Sequence, residues 1–459
     1  MSVKRKGGLD VLRTFYSDCV ELLDLRVDGK KTIGLKAVNS ILGKSLGFFL
    51  VFIVINNVSL AGYGAFQNFC FLLGLLPLVG IGFNHSFISL KLMGKTNVEF
   101  AMARVLVIVE FLFQTSIGSI LSVFLFEAIF EKPIVDHFLI LIFFSIFLAR
   151  VNAWLRVEMK ASGNLVGCGY VDIFSSFCYF ICIGLSSFFL LDGLLFGFCL
   201  CEAFKAIYVI YKWRIDLSIR APDTSSVKFL FPRGQKIWWA NAFDQFFSVV
   251  PIFLVVTSLT GNDKGLFSFA VLLAAPIVIG FSFIEGLIQR KLWRGCDVKK
   301  LYCYVRTSNL LIVCVALCGF AGSIAIGLMS ELFNPDLIGS LDYLPYLAAL
   351  RICSGYRVLF SSLVVTYDGR NNKVSQPFFG FSKAAATTVT VLISTVFFKQ
   401  LISITTEQYL SLICIVWCLG ICLDIRRLYF ANGLGSSLLP LAPVGIVMFT
   451  LSAGALLRF

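Results

Sequence analysis

Histidine is nearly absent. His85 and His137 are the only two in 459 residues, and no metal-ligand spacing involves either. No Walker A run and no H-E-x-x-H stretch occurs, so no phosphate-binding loop or zinc-protease helix can be placed. Without an ATP site, work done by this chain must draw on ion gradients or on pull from a downstream reaction. No short apolar segment with a small-residue cleavage site precedes the first long apolar run near residue 37, which argues against a cleaved signal peptide. Charge is scarce too, at 14% of residues, where soluble proteins carry about a quarter. The fifteen cysteines fall mostly inside apolar runs, where they read as small buried hydrophobes and not as a disulfide framework.

What remains is apolar: 58% of residues are hydrophobic and 15% aromatic, with a mean hydropathy of +0.89. Runs of about 20 such residues, enough to cross ~30 Å of hydrocarbon, recur to the C-terminus. They predict an all-α polytopic membrane protein of 12–14 spans. Candidate spans fall at 37–57, 64–89, 105–126, 137–155, 168–190, 193–211, 237–258, 265–286, 307–329, 343–365, 379–398, 407–424 and 438–457. With the N-terminus inside, the inner segments hold 30 of the 39 Lys and Arg and the outer segments four: Lys132, Lys264, Lys399 and Arg458. This is the positive-inside pattern, so the net charge of +13 is a topology signal and implies no nucleic-acid partner.

Residues 1–36 form a basic leader expected on the cytoplasmic side. Within it, 9–28 reads either as an amphipathic surface helix or as a disordered arm. A polar cytoplasmic linker, 212–236, divides six spans in 37–211 from six in 237–424, with an extra span in 425–459. The halves resemble each other. Asn39 precedes the Gly64 of "GAF" by 25 residues, Asn241 precedes the Gly265 of "GLF" by 24, and Pro77 and Pro276 follow 13 and 11 residues later. Six spans per half and this match predict two six-helix lobes related by a pseudo-two-fold axis along the membrane normal.

Charges inside spans are the costly residues. Each arginine at mid-membrane costs roughly 2.5–3.5 kcal/mol on insertion scales, yet Arg351 and Arg357 share one span. Lys44 lies in the first span between Gly43 and Gly47, Lys383 one turn into its span, and Arg150 at the inner end of the fourth. A cavity facing these five would favour an anionic passenger, and arginine's planar fork suits phosphate. Snorkelling accounts equally for Lys383 and Arg150, and a local pair with Glu202 accounts for Lys205. Glu110, Asp172 and Asp244 are candidates either for ion coupling or for pairing with the arginines.

The opening "GLKAVNSILGKSLGFFLVFIVINNVSLAGYGAFQNFCFLLGLLPLVGIGF", with Gly62-Tyr63-Gly64, Phe66 and "LVGIGF", resembles the start of Wzx-type polysaccharide flippases of the MATE-like MOP superfamily. The likeness extends over about residues 32–430 in length, span count and two-lobe repeat. It implies a non-enzymatic, cofactor-free transporter in the bacterial inner membrane, with its N-terminus cytoplasmic. Such a protein moves undecaprenyl-pyrophosphate-linked oligosaccharide between leaflets by alternating access through a cationic lumen, for O-antigen, lipopolysaccharide or another surface polymer. Its partners would be the lipid bilayer, a polysaccharide polymerase and a chain-length regulator. On that analogy Arg351, Arg357 and Lys44 meet the pyrophosphate or acidic sugars. A multidrug or peptidoglycan-precursor exporter of the same superfamily is the nearest rival, although a cation exporter calls for acidic cavity residues. An O-antigen polymerase or ligase is the rival from another class, but every outer connection here is only about a dozen residues or fewer.

Overall fold

The computed structural model describes residues 27–84, 87, 97–131, 133, 135–162, 164–213, 219–221, 224–277, 281, 298–356, 389–394, 405–431 and 450. Among these the chain is helical, with no strand. In chain order the helices are α1 (Val27–Val58), α2 (Leu60–Leu75), α3 (Asn97–Phe124), the short α4 (Phe126–Phe130), α5 (Asp136–Ala161), α6 (Leu165–Ser186), α7 (Leu190–Trp213), α8 (Thr224–Ser258), α9 (Gly261–Leu273), α10 (Val298–Ser330), α11 (344–356) and α12 (Thr406–Ala431). Six described stretches are long and apolar enough to cross a membrane, and one of them, Val166–Trp213, holds two helices. In hydrocarbon every backbone N–H and C=O must be satisfied within the chain, which selects helices over open strands. Polar side chains on these helices obey the same demand. On α3, Thr115, Ser116, Ser119 and Ser122 each donate their hydroxyl to the carbonyl four residues back.

Two boundaries differ from the hydropathy reading. Residues 27–36 of the expected leader continue α1, and residues 212–213 and 224–236 of the expected linker are helical. Both stretches carry too much charge to register as spans, so hydropathy ends each helix where the lipid would. The amphipathic reading of 9–26 and most of the last span lie outside the described residues.

The chain forms two compact units. One holds residues 34–272 with 331–340, and the other the described parts of 1–33, 273–330 and 341–459. In the first, α6 and α7 pack at Gly193 and Gly197, where an added Cβ would lie 1.9 Å from Ser186 atoms. The aromatic pair Phe174–Tyr208 stacks across the same seam at 4.2 Å. Helices α3 and α5 close over a core of Phe83, Phe87, Val107, Phe111 and Val157. A Cβ added to Gly43 of α1 would lie 3.0 Å from Ser176 Oγ of α6, beside a groove of about 160 Å³ bordered by Gly47, Ser175 and Tyr179.

The "LLPLVGIGF" segment of the second span is a helix break. After α2, Leu76–Val79 tightens to a 3-10 turn with Pro77 as its second residue, and Gly82 takes φ +96° before helix resumes at Phe83. Its counterpart behaves alike: α9 ends at Leu273, Ala274 is a turn, and helix resumes at Ala275 beside Pro276. The repeat seen in the sequence is thus a repeated interruption.

In the second unit, Gly319 of α10 backs onto Ile277, and Ser323 donates to the Leu273 carbonyl at the end of α9. Helices α11 and α12 meet through cysteines, Cys353 Sγ lying 3.4 Å from Cys418 Sγ. A membrane-permeant oxidant should therefore join Cys353 to Cys418, detectable as a linked peptide by mass spectrometry. Recovery of both thiols unlinked after exhaustive oxidation would contradict the α11–α12 pairing.

Candidate functional site

Five charged residues are buried among the described residues: Arg104, Glu110, Glu158, Glu202 and Lys264. Each has a partner. Arg104 of α3 forms a two-point pair with Glu158 of α5, Nε to Oε1 at 2.6 Å and Nη2 to Oε2 at 3.1 Å, and Trp154 Nε1 adds a third hydrogen bond to that carboxylate. Glu202 of α7 is held by Lys205 one turn on and by Asn152 Nδ2 of α5 at 2.7 Å. Lys264 pairs with Glu131 at 2.6 Å. Buried pairs of this kind contribute little net stability but cost several kcal/mol to break.

Glu110 is answered differently. Its Oε1 accepts from the backbone N–H of Ile81 and of Gly82, both at 2.8 Å, and its Oε2 accepts from Asn84 N–H at 2.9 Å. The donors are the orphan amides opened by the break after α2, where the helix resuming at Phe83 presents its positive end. Glu110 is 0% exposed, and an added Cβ on Gly80 would lie 2.6 Å from its Oε1. One turn on, Gln114 Oε1 accepts from Arg150 Nη1 at 3.4 Å, so the polar chain runs from the break through α3 to α5.

The candidate residues separate as follows. Asp172 forms an ion pair with Arg156 across α5 and α6. Glu110 and Asp172 thus each have a partner among the described residues. Lys44 is exposed on α1. Arg150 is half-buried, and its Nε is enclosed with no hydrogen-bond partner among the described residues. Arg351 sits in α11, half-buried, and its Nε is likewise enclosed and unpartnered among those residues. Arg357, Lys383 and the side chain of Asp244 lie outside the described residues. Arg150 and Arg351 belong to different compact units, and each is described on its own. The letters G-x-S-x-G do occur at Gly43–Gly47, but within a continuous helix; the strained strand-to-helix turn of a nucleophile elbow is missing there.

The sequence suggests an arginine as the partner of Glu110 and does not point to Ile81, Gly82 or Asn84, which bind it through their backbone. Pro77 followed by Gly80 and Gly82 was the available signal. The Arg104–Glu158 and Lys264–Glu131 pairs were also unforeseen, their members standing 54 and more than 130 residues apart.

No family model matches this chain, and no curated protein matches it in sequence. Its fold has solved counterparts. A MATE transporter from Vibrio cholerae, VcmN, superposes with a TM-score of 0.55 at 12% identity, covering 91% of this chain and 98% of that one. A MOP superfamily transporter from Pyrococcus furiosus gives 0.55 at 14% identity over 96% and 98%. The MATE multidrug transporter DinF-BH gives 0.54 at 13% identity over 89% and 96%. The fold is that of MATE transporters of the MOP superfamily, an all-helical membrane architecture whose two-lobe symmetry agrees with the repeated break.

Replacing Glu110 with Ala leaves three buried or half-buried N–H groups without their acceptor and should cost about 3 kcal/mol. The detergent-purified variant should melt well below the parent, with Glu110→Gln intermediate because one acceptor oxygen remains. Equal melting of Glu110→Ala and the parent would mean that the carboxylate does not hold the break.

Proposed function

We propose that this chain is a flippase that carries an undecaprenyl-pyrophosphate-linked oligosaccharide from the inner to the outer leaflet of a bacterial inner membrane by alternating access. The observation that carries the reading is Arg351. Its Nε is enclosed in α11 and has no acceptor among the described residues, an unfavourable state that a visiting anion would relieve. The fold supports transport. Positive charge at depth supports an anionic cargo, and a pyrophosphate offers the paired oxygens that an arginine fork accepts. Arg150, with its own unpartnered Nε, is the second contact we assign, with Arg357, Lys383 and Lys44 completing the cationic set.

The same fold hosts multidrug transporters, and a multidrug exporter is the main competing reading. The P. furiosus neighbour is described as having a binding pocket of reversed polarity that suggests a different function, so the architecture tolerates more than one pocket charge. An enzymatic role as polymerase or ligase draws no support from the described residues. A peptidoglycan-precursor flippase would share the pyrophosphate chemistry and differ in its sugar.

In a strain lacking the gene, surface polysaccharide should be lost while repeat units accumulate on their carrier at the inner leaflet. At equal membrane levels, Arg351→Ala should restore little surface polymer, and Arg351→Lys, which keeps the charge without the fork, an intermediate amount. Normal polymer with both variants would remove Arg351 from the substrate path. Normal polymer with altered drug sensitivity in the deletion would favour the exporter.

A further inference from the structure

Lys264 is 1% exposed, although it opens α9 in a segment the basic-residue count assigns to the outer side. Its Nζ pairs with Glu131 and donates to the carbonyls of Ala128 at 3.0 Å and Ile129 at 3.4 Å, which end the short helix α4. Glu131 caps that helix in the left-handed conformation, φ 55°, and accepts in turn from Gly261 N–H at the start of α9, at 3.1 and 3.2 Å. The ammonium thus sits at the negative end of α4 and the carboxylate at the positive end of α9. Each helix end is capped by a side chain from the other.

Next to this reciprocal cap the backbones touch. A Cβ on Gly265 would lie 2.2 Å from the Leu60 carbonyl oxygen, and one on Gly64 would lie 2.6 Å from Gly265 N. Gly64 and Gly265 are the pair matched by the sequence repeat. Equivalent residues of two related halves can meet only near the axis relating them, so this crossing marks where the repeats face each other. About one turn further along each helix, Asn68 Nδ2 and Ser268 Oγ are buried without a partner among the described residues. A permanent joint would be expected to satisfy those groups. A joint that opens leaves them for water or cargo.

We propose that the Lys264–Glu131 cap and the Gly64–Gly265 crossing form an outer gate, closed in this structure, which parts to release cargo outward. The proposal rests on the transport reading and on the inside placement of the N-terminus. It is tested in intact cells with a membrane-impermeant maleimide and a Ser268→Cys chain, its labelling measured against the parent, which already contains cysteines. Ser268→Cys alone should label slowly. Adding Glu131→Gln, which breaks the ion pair without emptying buried volume, should raise the labelling rate roughly tenfold or more, as expected when a buried ammonium loses its counter-ion. Lys264→Met should do the same. Unchanged labelling with Glu131→Gln, or labelling only by reagent admitted to the cytoplasm, would overturn the outer gate. Labelling reports opening whatever passes through, so faster labelling in a strain with normal surface polysaccharide would strike the cargo assignment and leave the gate standing.

Discussion

Hydrocarbon offers a charged or polar group nothing, so every ionised side chain inside this protein must find its partner within the protein. That constraint organises the described helices. Arg104 meets Glu158, Glu202 meets Lys205 and Asn152, Lys264 meets Glu131, and Glu110 meets three backbone amides. Most of these contacts tie one helix to another, so the rule that prevents charges from standing alone also sets which helices are neighbours. Against it stand the enclosed Nε atoms of Arg150 and Arg351, which have no partner among the described residues. Their cost is explained if they serve something that is not always present.

The helix breaks belong to the same logic. A proline and two glycines interrupt the helix after Leu75, which exposes amides that must be answered in a dry setting. Glu110 answers them from the neighbouring helix, so a break that would otherwise cost stability becomes a joint between α2 and α3. On the other half, Ser323 of α10 donates to the Leu273 carbonyl beside the equivalent break. The two breaks sit at matching places in the repeat, and each is tied to a neighbouring helix by a side chain.

Much of the fold was legible in the sequence. Apolar run length gave the spans, and the spacing of Gly64 and Gly265 from their asparagines and prolines gave the repeat, whose glycines then prove to touch. The Lys205–Glu202 pair was readable because residues three apart on a helix are neighbours. The site was less legible. Glu110 reads as a lone carboxylate in an apolar run, since hydropathy is blind to backbone donors brought from 26–29 residues away. Asp172 finds Arg156 only because α5 and α6 pack side by side, and Lys264 looks like an ordinary loop cation until the fold places it on the end of α4. Each miss is a contact made by tertiary packing, and each involves a charge whose partner a single helix cannot supply.

The central claim is that Arg351, whose Nε has no partner among the described residues, holds an anionic lipid headgroup. Native mass spectrometry of the purified protein, offered undecaprenyl pyrophosphate and the uncharged undecaprenol side by side, tests it directly. The account predicts that the parent retains the pyrophosphate lipid in preference to the alcohol, and that Arg351→Met loses the preference while still carrying background lipid. Equal retention of both lipids by the parent, or an undiminished preference in Arg351→Met, would contradict it.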